Sequence, residues 1–373
     1  MKGTLLVSAG ELSGDQHAAD VVQTFKRDEP SLQVFGLGGS GMREAGVELI
    51  EHIDQLSVMG LGEVLRRYSF FRRLMKRTLA EVDRQQPRAA LLIDYPGFNI
   101  RLARELKRRG VKVYYYISPK FWAWNRRRIH ALAEAVDEML VIFPFEVPLL
   151  ERASISTRYV GNPLVEQIRR VKAAPRVPVP WGEGKRVALL PGSRLQEVNR
   201  LWPMMKAAAF GLQQQQAVSC VVVAANDRMA KRIRELGLPP SVRIVVGETL
   251  SVLEQADVAW VTSGTATLEA ALIGIPHCLV YRTGALTYAF AKTVLNIKHV
   301  GLVNILAGRE VTPELLQHNA TPQKLVATLE PLLEPGVARE NMLAEFEEIR
   351  QQLGSRVSSV EVVGRVQRAY SEA

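Results

Sequence analysis

Asp94 stands directly after the apolar run Leu91-Leu92-Ile93 and just before Tyr95-Pro96, at the end of a strand that reads as buried. A carboxylate there, facing a crevice, can take a proton from a substrate hydroxyl, and a turn-forming Asp ahead of a proline has the same pattern. A second chemistry is anion binding. Leu189-Leu190-Pro191-Gly192-Ser193-Arg194 runs from a strand into a loop that ends on a guanidinium, and Trp260 to Glu269 reads as strand, then Ser263-Gly264-Thr265-Ala266, then helix. Loops of this second kind bring several N–H groups and a helix dipole to one diphosphate. Glu269, one turn further on, is placed to accept hydrogen bonds from ribose hydroxyls. A plain capped turn fits either loop alone, and two in one half of the chain make the stronger case. A third loop, Ser8 to Asp15, contains Glu11, Ser13, Gly14 and Asp15. It precedes a helix expected from near Gln16, with Ser13 or Asp15 as its cap or with its N–H groups turned to an anion.

Other chemistries find little support. Gly36-Leu37-Gly38-Gly39-Ser40-Gly41 matches GxGxxG, but Met42 to Ala45 leaves room for only about one helical turn before Gly46, so a flexible loop is expected in place of a dinucleotide site. No Walker A sequence, GxSxG elbow, HExxH, DxD or Cys/His metal spacing occurs, and neither a cofactor nor a metal is expected. Cys220 and Cys278 lie alone in apolar, strand-like runs and read as buried reduced thiols.

These residues need elements to hold them. Apolar runs at Thr4 to Ala9, Gln33 to Leu37, Ala89 to Ile93, Val111 to Ile117 and Glu138 to Phe143 alternate with helical stretches, the pattern of a mostly parallel α/β sheet. After Gly161-Asn162-Pro163 and a stretch with Pro175, Pro178, Pro180, Gly182 and Gly184, the pattern restarts at Arg186 to Leu190, Ser219 to Ala224, Arg243 to Val246, Val258 to Thr262 and Pro276 to Tyr281. The expectation is a first domain over 1–165, a linker over 166–184 and a second domain over 185–353. A final helix, 354–373, is expected to pack back on the first domain. Two such domains create a cleft at the carboxyl ends of two sheets, where α/β folds place their ligands.

The 373 residues are 47% hydrophobic and 23% charged, with a formal charge of +10, which excludes disordered, collagenous and disulfide-rich classes. Residues 61–131 hold 18 Lys and Arg against 5 Asp and Glu, a local +13 that leaves the other 302 residues at −3. Leu61, Val64, Leu65, Tyr68, Phe71, Leu74, Met75 and Leu79 recur there at helical spacing beside Arg66, Arg67, Arg72, Arg73, Lys76 and Arg77. Such a basic amphipathic helix fits an anionic membrane surface, and an ordinary surface helix fits it too. Nucleic acid is not expected, because no helix-turn-helix, zinc-finger or RNP pattern accompanies the charge. Trp122 and Trp124, beside Arg126 to Arg128, read equally as lipid contacts or as buried aromatics. The start has one positive charge and a three-residue apolar run, and no run approaches the roughly 20 apolar residues of a spanning helix, so a cytoplasmic location is expected.

Taken in order along the chain, several segments resemble the lipid-A-disaccharide synthase family, bacterial glycosyltransferases with two Rossmann-like domains in the GT-B arrangement. They are Ala9 to Asp15, Val58-Met59-Gly60, Ile93 to Asn99, Ser118 to Trp124, Phe143-Pro144-Phe145-Glu146, Leu190 to Arg194, Ser263 to Ala266 with Glu269, and Asn304 to Glu310. The linker and the last twenty residues carry little of the resemblance. It implies transfer of a sugar from UDP-2,3-diacylglucosamine to the 6-hydroxyl of 2,3-diacylglucosamine 1-phosphate, giving a β-1,6 disaccharide and UDP. It further implies Asp94 as base and places Arg194, Ser193, the Ser263 to Ala266 loop and Glu269 at the nucleotide. Asn304 and Arg309 are implied to help hold the donor, and the segment Glu11, Ser13, Gly14 and Asp15 to serve the acceptor side, with Glu11 or Asp15 as the alternative base. A peripheral position on the inner face of the inner membrane follows, and the oligomeric state is left open. Gly97 replaces a second acid frequent in the family, Lys120 a small polar residue, and Val303 a proline. The alternatives are a UDP-N-acetylglucosamine 2-epimerase, a cell-wall glycosyltransferase, or a non-catalytic protein using the basic region alone.

Overall fold

A computed structural model of the chain describes residues 3–56, 68–119, 126–284 and 299–371, with the side chains at 126–128 and 131 left undescribed. By its contacts the chain divides into one unit of Met1–Pro163 with Ser355–Ala373 and another of Leu164–Gly354.

In the first unit β1 (Thr4–Ala9), β2 (Gln33–Gly38), β3 (Glu48–His52), β4 (Ala89–Ile93), β5 (Lys112–Tyr116), β6 (Glu138–Val141) and β7 (Thr157–Tyr159) form one parallel sheet, in the order β3-β2-β1-β4-β5-β6-β7. The central strands are apolar without alternation because both faces are covered. Leu5, Val7 and Ala9 of β1 enter the core that includes Val362, Val363, Val366 and Tyr370 of the last helix, Ser358–Ser371. Leu6 enters the opposite core, with Leu74 and Val82 of helix Tyr68–Gln85 and Leu102 and Leu106 of helix Pro96–Arg108.

The second unit repeats the plan. Here β8 (Lys185–Leu190), β9 (Val218–Ala224), β10 (Val242–Val246), β11 (Val258–Thr262), β12 (His277–Tyr281) and β13 (Glu314–Leu316) are parallel, in the order β10-β9-β8-β11-β12-β13. Each sheet therefore has one place where neighbouring strands send their helices to opposite sides, between β1 and β4 and between β8 and β11. Ligands of open α/β sheets bind at such places, outside the carboxyl ends of the strands.

The structure departs from the sequence reading in particular elements. β3, β7 and β13 are short edge strands with partly exposed side chains, too weakly patterned to stand out. Residues 166–173, expected to be the start of the linker, belong to a helix, Pro163–Ala173, with Pro163 at its start and Ile168 on its buried side. The GxGxxG stretch is not a loop: Gly36 to Gly38 end β2, and Ser40–Glu44 is a short helix. Gly36 has φ +152°, and a Cβ there would lie 1.8 Å from the Val7 carbonyl oxygen, so the residue serves close strand approach. Cys220 and Cys278 are both buried, and burial pushes each thiol up to about 12. Of the expected basic helix, residues 61–67 lie outside the described residues; the rest is the start of helix Tyr68–Gln85, with Arg72, Arg73 and Lys76 exposed.

Candidate active site

In the first unit the strands flanking the switch point end level, Ala9 of β1 beside Ile93 of β4. Asp94 follows at once and is partly exposed. Asp94 and Tyr95 both take left-handed backbone conformations, with φ of +44° and +50°. For non-glycine residues this costs roughly 1–3 kcal/mol each and requires support from the surroundings. Support comes from Asn99, which the sequence reading did not single out and which has no exposed surface. Its Nδ2 donates to the carbonyls of Asp94 at 2.9 Å, Ile93 at 3.2 Å and Ser8 at 3.3 Å, and its Oδ1 accepts from Ser8 Oγ at 2.7 Å. The Tyr115 hydroxyl also donates to the Asp94 carbonyl, at 2.5 Å. Burial, and the nearby Asp94 charge, push that phenol well above its usual range, so it stays a donor.

The helix after β1 starts earlier than expected, at Leu12, so Ser13, Gly14 and Asp15 lie in its first turn. Glu11 is its N-cap residue, exposed and making no capping side-chain bond; Ser13 is exposed and Gly14 buried. Asp15 is not placed for catalysis. It is 2% exposed, and its carboxylate accepts from the backbone N–H of Gly39 at 2.6 Å, Gly41 at 3.0 Å and Met42 at 3.1 Å. The protein's own acid thus occupies the helix start that the GxGxxG pattern would have given to a phosphate.

In the second unit Leu190 of β8 pairs with Val261 of β11. Beyond them lies a pocket of about 320 Å³ lined by both expected loops, with Ser193, Arg194, Ser263 to Ala266 and Glu269 among its walls. Helix Thr265–Ile273 starts there without a side-chain cap, behind Gly264 at φ +140°, a conformation that glycine alone adopts readily. Its unpaired N–H groups and dipole favour an anion. Burial pushes the Glu269 carboxyl up to about 7.

On the other wall Glu197, unmarked in the sequence reading, organises the loop. Its Oε2 accepts from the backbone N–H of Ser193 and of Arg194, each at 3.1 Å, and its Oε1 lies 3.3 Å from Arg194 Nη1. The Arg194 guanidinium is otherwise 75% exposed. An acid three residues after the cap position, as in a capping box, is the signal that marks Glu197.

Two expected donor ligands fall elsewhere. Asn304 is fully buried: its Nδ2 donates to Thr312 O and Glu314 Oε1, and its Oδ1 accepts from the N–H of Val311 and Thr312 and from Thr312 Oγ1. Every polar position of that amide is taken up in shaping its own loop. Arg309 is paired with Glu345 at 2.5 Å and with Glu348 at 3.2 Å, and it is not among the residues that line the pocket. Lys120, Trp122, Trp124 and Val58 to Gly60 lie outside the described residues, as do the side chains of Arg126 to Arg128.

Comparison with known proteins decides between the chemistries this geometry allows. A family model described as lipid-A-disaccharide synthetase matches residues 5–363. The chain belongs to the lipid-A-disaccharide synthase family. The synthase of Myxococcus xanthus (strain DK1622) is 40% identical over 94% of this chain and 93% of its own length, and that of Anaeromyxobacter sp. (strain K) is 39% identical over 97% and 96%. Among solved structures, the glycotransferase of kitacinnamycin superposes with a TM-score of 0.66 at 17% identity, covering 99% of each chain. UDP-GlcNAc 2-epimerase from Neisseria meningitidis, bound to UDP-GlcNAc, gives 0.64 at 12% identity over 99% of this chain and all of its own. At such identities these structures report the fold, which is that of GT-B glycosyltransferases. The protein is an enzyme of lipid A disaccharide synthesis, a glycosyltransferase.

Against the lipid-A-disaccharide synthase pattern, Gly97 is exposed with nothing within 4 Å of where a Cβ would stand. The segment thus has room for the acid that the resemblance implied there and does not carry it. Asp94 is the one acid between β4 and helix Pro96–Arg108.

Proposed function

We propose that the enzyme transfers the diacylglucosamine of UDP-2,3-diacylglucosamine to O6 of 2,3-diacylglucosamine 1-phosphate with inversion, releasing UDP and the β-1,6 disaccharide 1-phosphate. Asp94 takes the proton of the 6-hydroxyl as O6 attacks the anomeric carbon from the face opposite the diphosphate. The C1–O bond to UDP breaks, and its electrons leave with the β-phosphate. The uncapped start of helix Thr265–Ile273 and the Arg194 guanidinium stabilise that charge, while Glu269 meets the ribose. The observation that supports this most is the second-unit pocket, where an open helix start, an exposed guanidinium and a half-buried acid line about 320 Å³. The first-unit Asp94 supplies the base, and Glu11 is the acid to which the role passes if Asp94 does not hold it. The basic strip holds the enzyme on the anionic inner face of the inner membrane, where acylated substrates reside.

Mass spectrometry of products from the two lipids tests the reaction, and a disaccharide 1-phosphate with UDP is the expected result. Conversion of the UDP-sugar with no acceptor present would establish an epimerase instead. Turnover is expected to persist in EDTA, and a firm Mg²⁺ requirement would overturn the leaving-group assignment. Arg194→Ala is expected to lower kcat about 100- to 1,000-fold. Asp94→Asn should stop turnover while UDP-sugar binding persists, and a near-normal rate would remove Asp94 from the role of base.

A further inference from the structure

The direction in which the Asp94 Cα–Cβ bond leaves the chain is set by the two peptide groups on either side of its Cα. The first is tied through its N–H, which donates to the Tyr116 carbonyl at 3.1 Å. The second is tied through its carbonyl, which accepts from Asn99 Nδ2 at 2.9 Å and from the Tyr115 hydroxyl at 2.5 Å. Asn99 is itself held by Ser8 Oγ on its Oδ1 at 2.7 Å, so it links the ends of β1 and β4. In the second unit, positive φ beyond β11 falls on Gly264, whereas beyond β4 it falls on Asp94 and Tyr95. The first unit thus places a strained non-glycine pair at this turn and holds the Asp94 carbonyl with the buried donors Asn99 and Tyr115.

We propose that Asn99 and Tyr115 are positioning residues, which aim the Asp94 carboxylate by holding the Asp94 carbonyl in the left-handed turn. This rests on the reading of Asp94 as the base. Neither residue touches substrate; they act through the backbone, so they set how often the carboxylate points at the acceptor hydroxyl and leave donor binding alone.

The test compares Tyr115→Phe, Asn99→Ala and Asp94→Asn in the full-length enzyme, with kcat and donor KM measured across pH, UDP affinity by calorimetry, and Tm. Tyr115→Phe removes one hydroxyl without changing shape, and kcat should fall about 10-fold; Asn99→Ala, which frees the turn, should lower it about 100-fold. Donor KM and UDP affinity should stay within about two-fold, the signature of a group that matters only in the transition state. The acid limb of the pH profile should keep its position, since both donors act on a carbonyl and neither on the carboxylate. Wild-type kcat in Tyr115→Phe overturns the proposal, and so does a loss that appears in KM, UDP affinity or Tm with kcat retained. If Asn99→Ala fails to fold, the isosteric Tyr115→Phe decides alone. A near-normal rate for Asp94→Asn would sink the base assignment and this proposal with it, whereas an inactive Asp94→Asn beside fully active Asn99→Ala and Tyr115→Phe would sink the positioning role only.

Discussion

Burial pushes the Glu269 carboxyl up to about 7 from an ordinary 4.5, so near neutral pH it is divided between acid and carboxylate. Between those values the folded protein keeps a proton that the unfolded chain gives up. Stability from this residue is therefore complete below about 4.5 and is lost as pH rises through 7. Glu269→Gln should consequently be more stable than wild type at pH 8, by roughly 3 kcal/mol, with the difference gone below pH 4.5; urea unfolding at several pH values measures it. A difference independent of pH would mean the carboxyl is not held as an acid. Glu269 and Asp94 were singled out in the sequence because Asp94 stands directly after one apolar strand and Glu269 one turn into the helix that follows another, where topology puts chemistry. Asn99 was not, since an Asn in the first turn of a helix reads as a solvated or capping residue. Only the pairing of β1 with β4 brings Ser8 onto it. Asn304, which the resemblance implied at the donor, has its hydrogen bonds spent on Val311, Thr312 and Glu314.

At the level of elements, the protein closes several helix starts with its own carboxylates. Asp15 serves Ser40–Glu44, Glu197 serves the loop entering Leu195–Gln215, and Glu314 accepts from the N–H of Val300 and Gly301 ahead of Leu302–Ala307. Helices Leu12–Asp28 and Thr265–Ile273, which follow strands at the two switch points, have no side-chain cap. In the second-unit pocket Glu197 thus closes the helix start after β8, while the start after β11 stays open to an anion. Asp15→Ala would strand three N–H groups, two of them buried, and a loss of about 3 kcal/mol in unfolding free energy is expected with kcat of the remaining folded enzyme unchanged. A variant of normal stability and low kcat would instead return Asp15 to the list of bases. The alternation of apolar runs made both sheets legible in outline. It missed β3, β7 and β13, because short edge strands with one open side carry too few buried residues to form a pattern.

For the whole molecule, the excess of +10 resolves into a basic strip in the first unit, and among the described residues no helix is long and apolar enough to cross a membrane. Tyr68, 57% exposed, sits beside exposed Arg72, Arg73 and Lys76 on helix Tyr68–Gln85. With each basic residue near anionic lipid giving roughly 1 kcal/mol, replacing Arg72, Arg73 and Lys76 by Ala should weaken binding to anionic vesicles about 100-fold. Vesicle flotation at rising salt checks this, and equal binding of wild type to neutral vesicles would refute an electrostatic attachment. The two units were legible from the restart of the strand pattern, and the last helix was expected to pack back on the first; the long-range pairs that hold it there were not readable from local pattern. Arg365 meets the buried Glu138 in a two-pronged pair at 3.0 and 2.5 Å, and the Tyr370 hydroxyl donates to the Thr4 carbonyl at 2.7 Å. On a ribosome this arrangement has a consequence in time. Glu138 and the β1 face emerge early, and their partners are translated only after the whole Leu164–Gly354 unit. At about 5–20 residues per second the delay is roughly ten to forty seconds. Throughout it the nascent first unit has an open apolar face, and Glu138 has Arg158 at 3.7 Å but not yet the closer Arg365, so the unit's folding is completed last although its synthesis begins first.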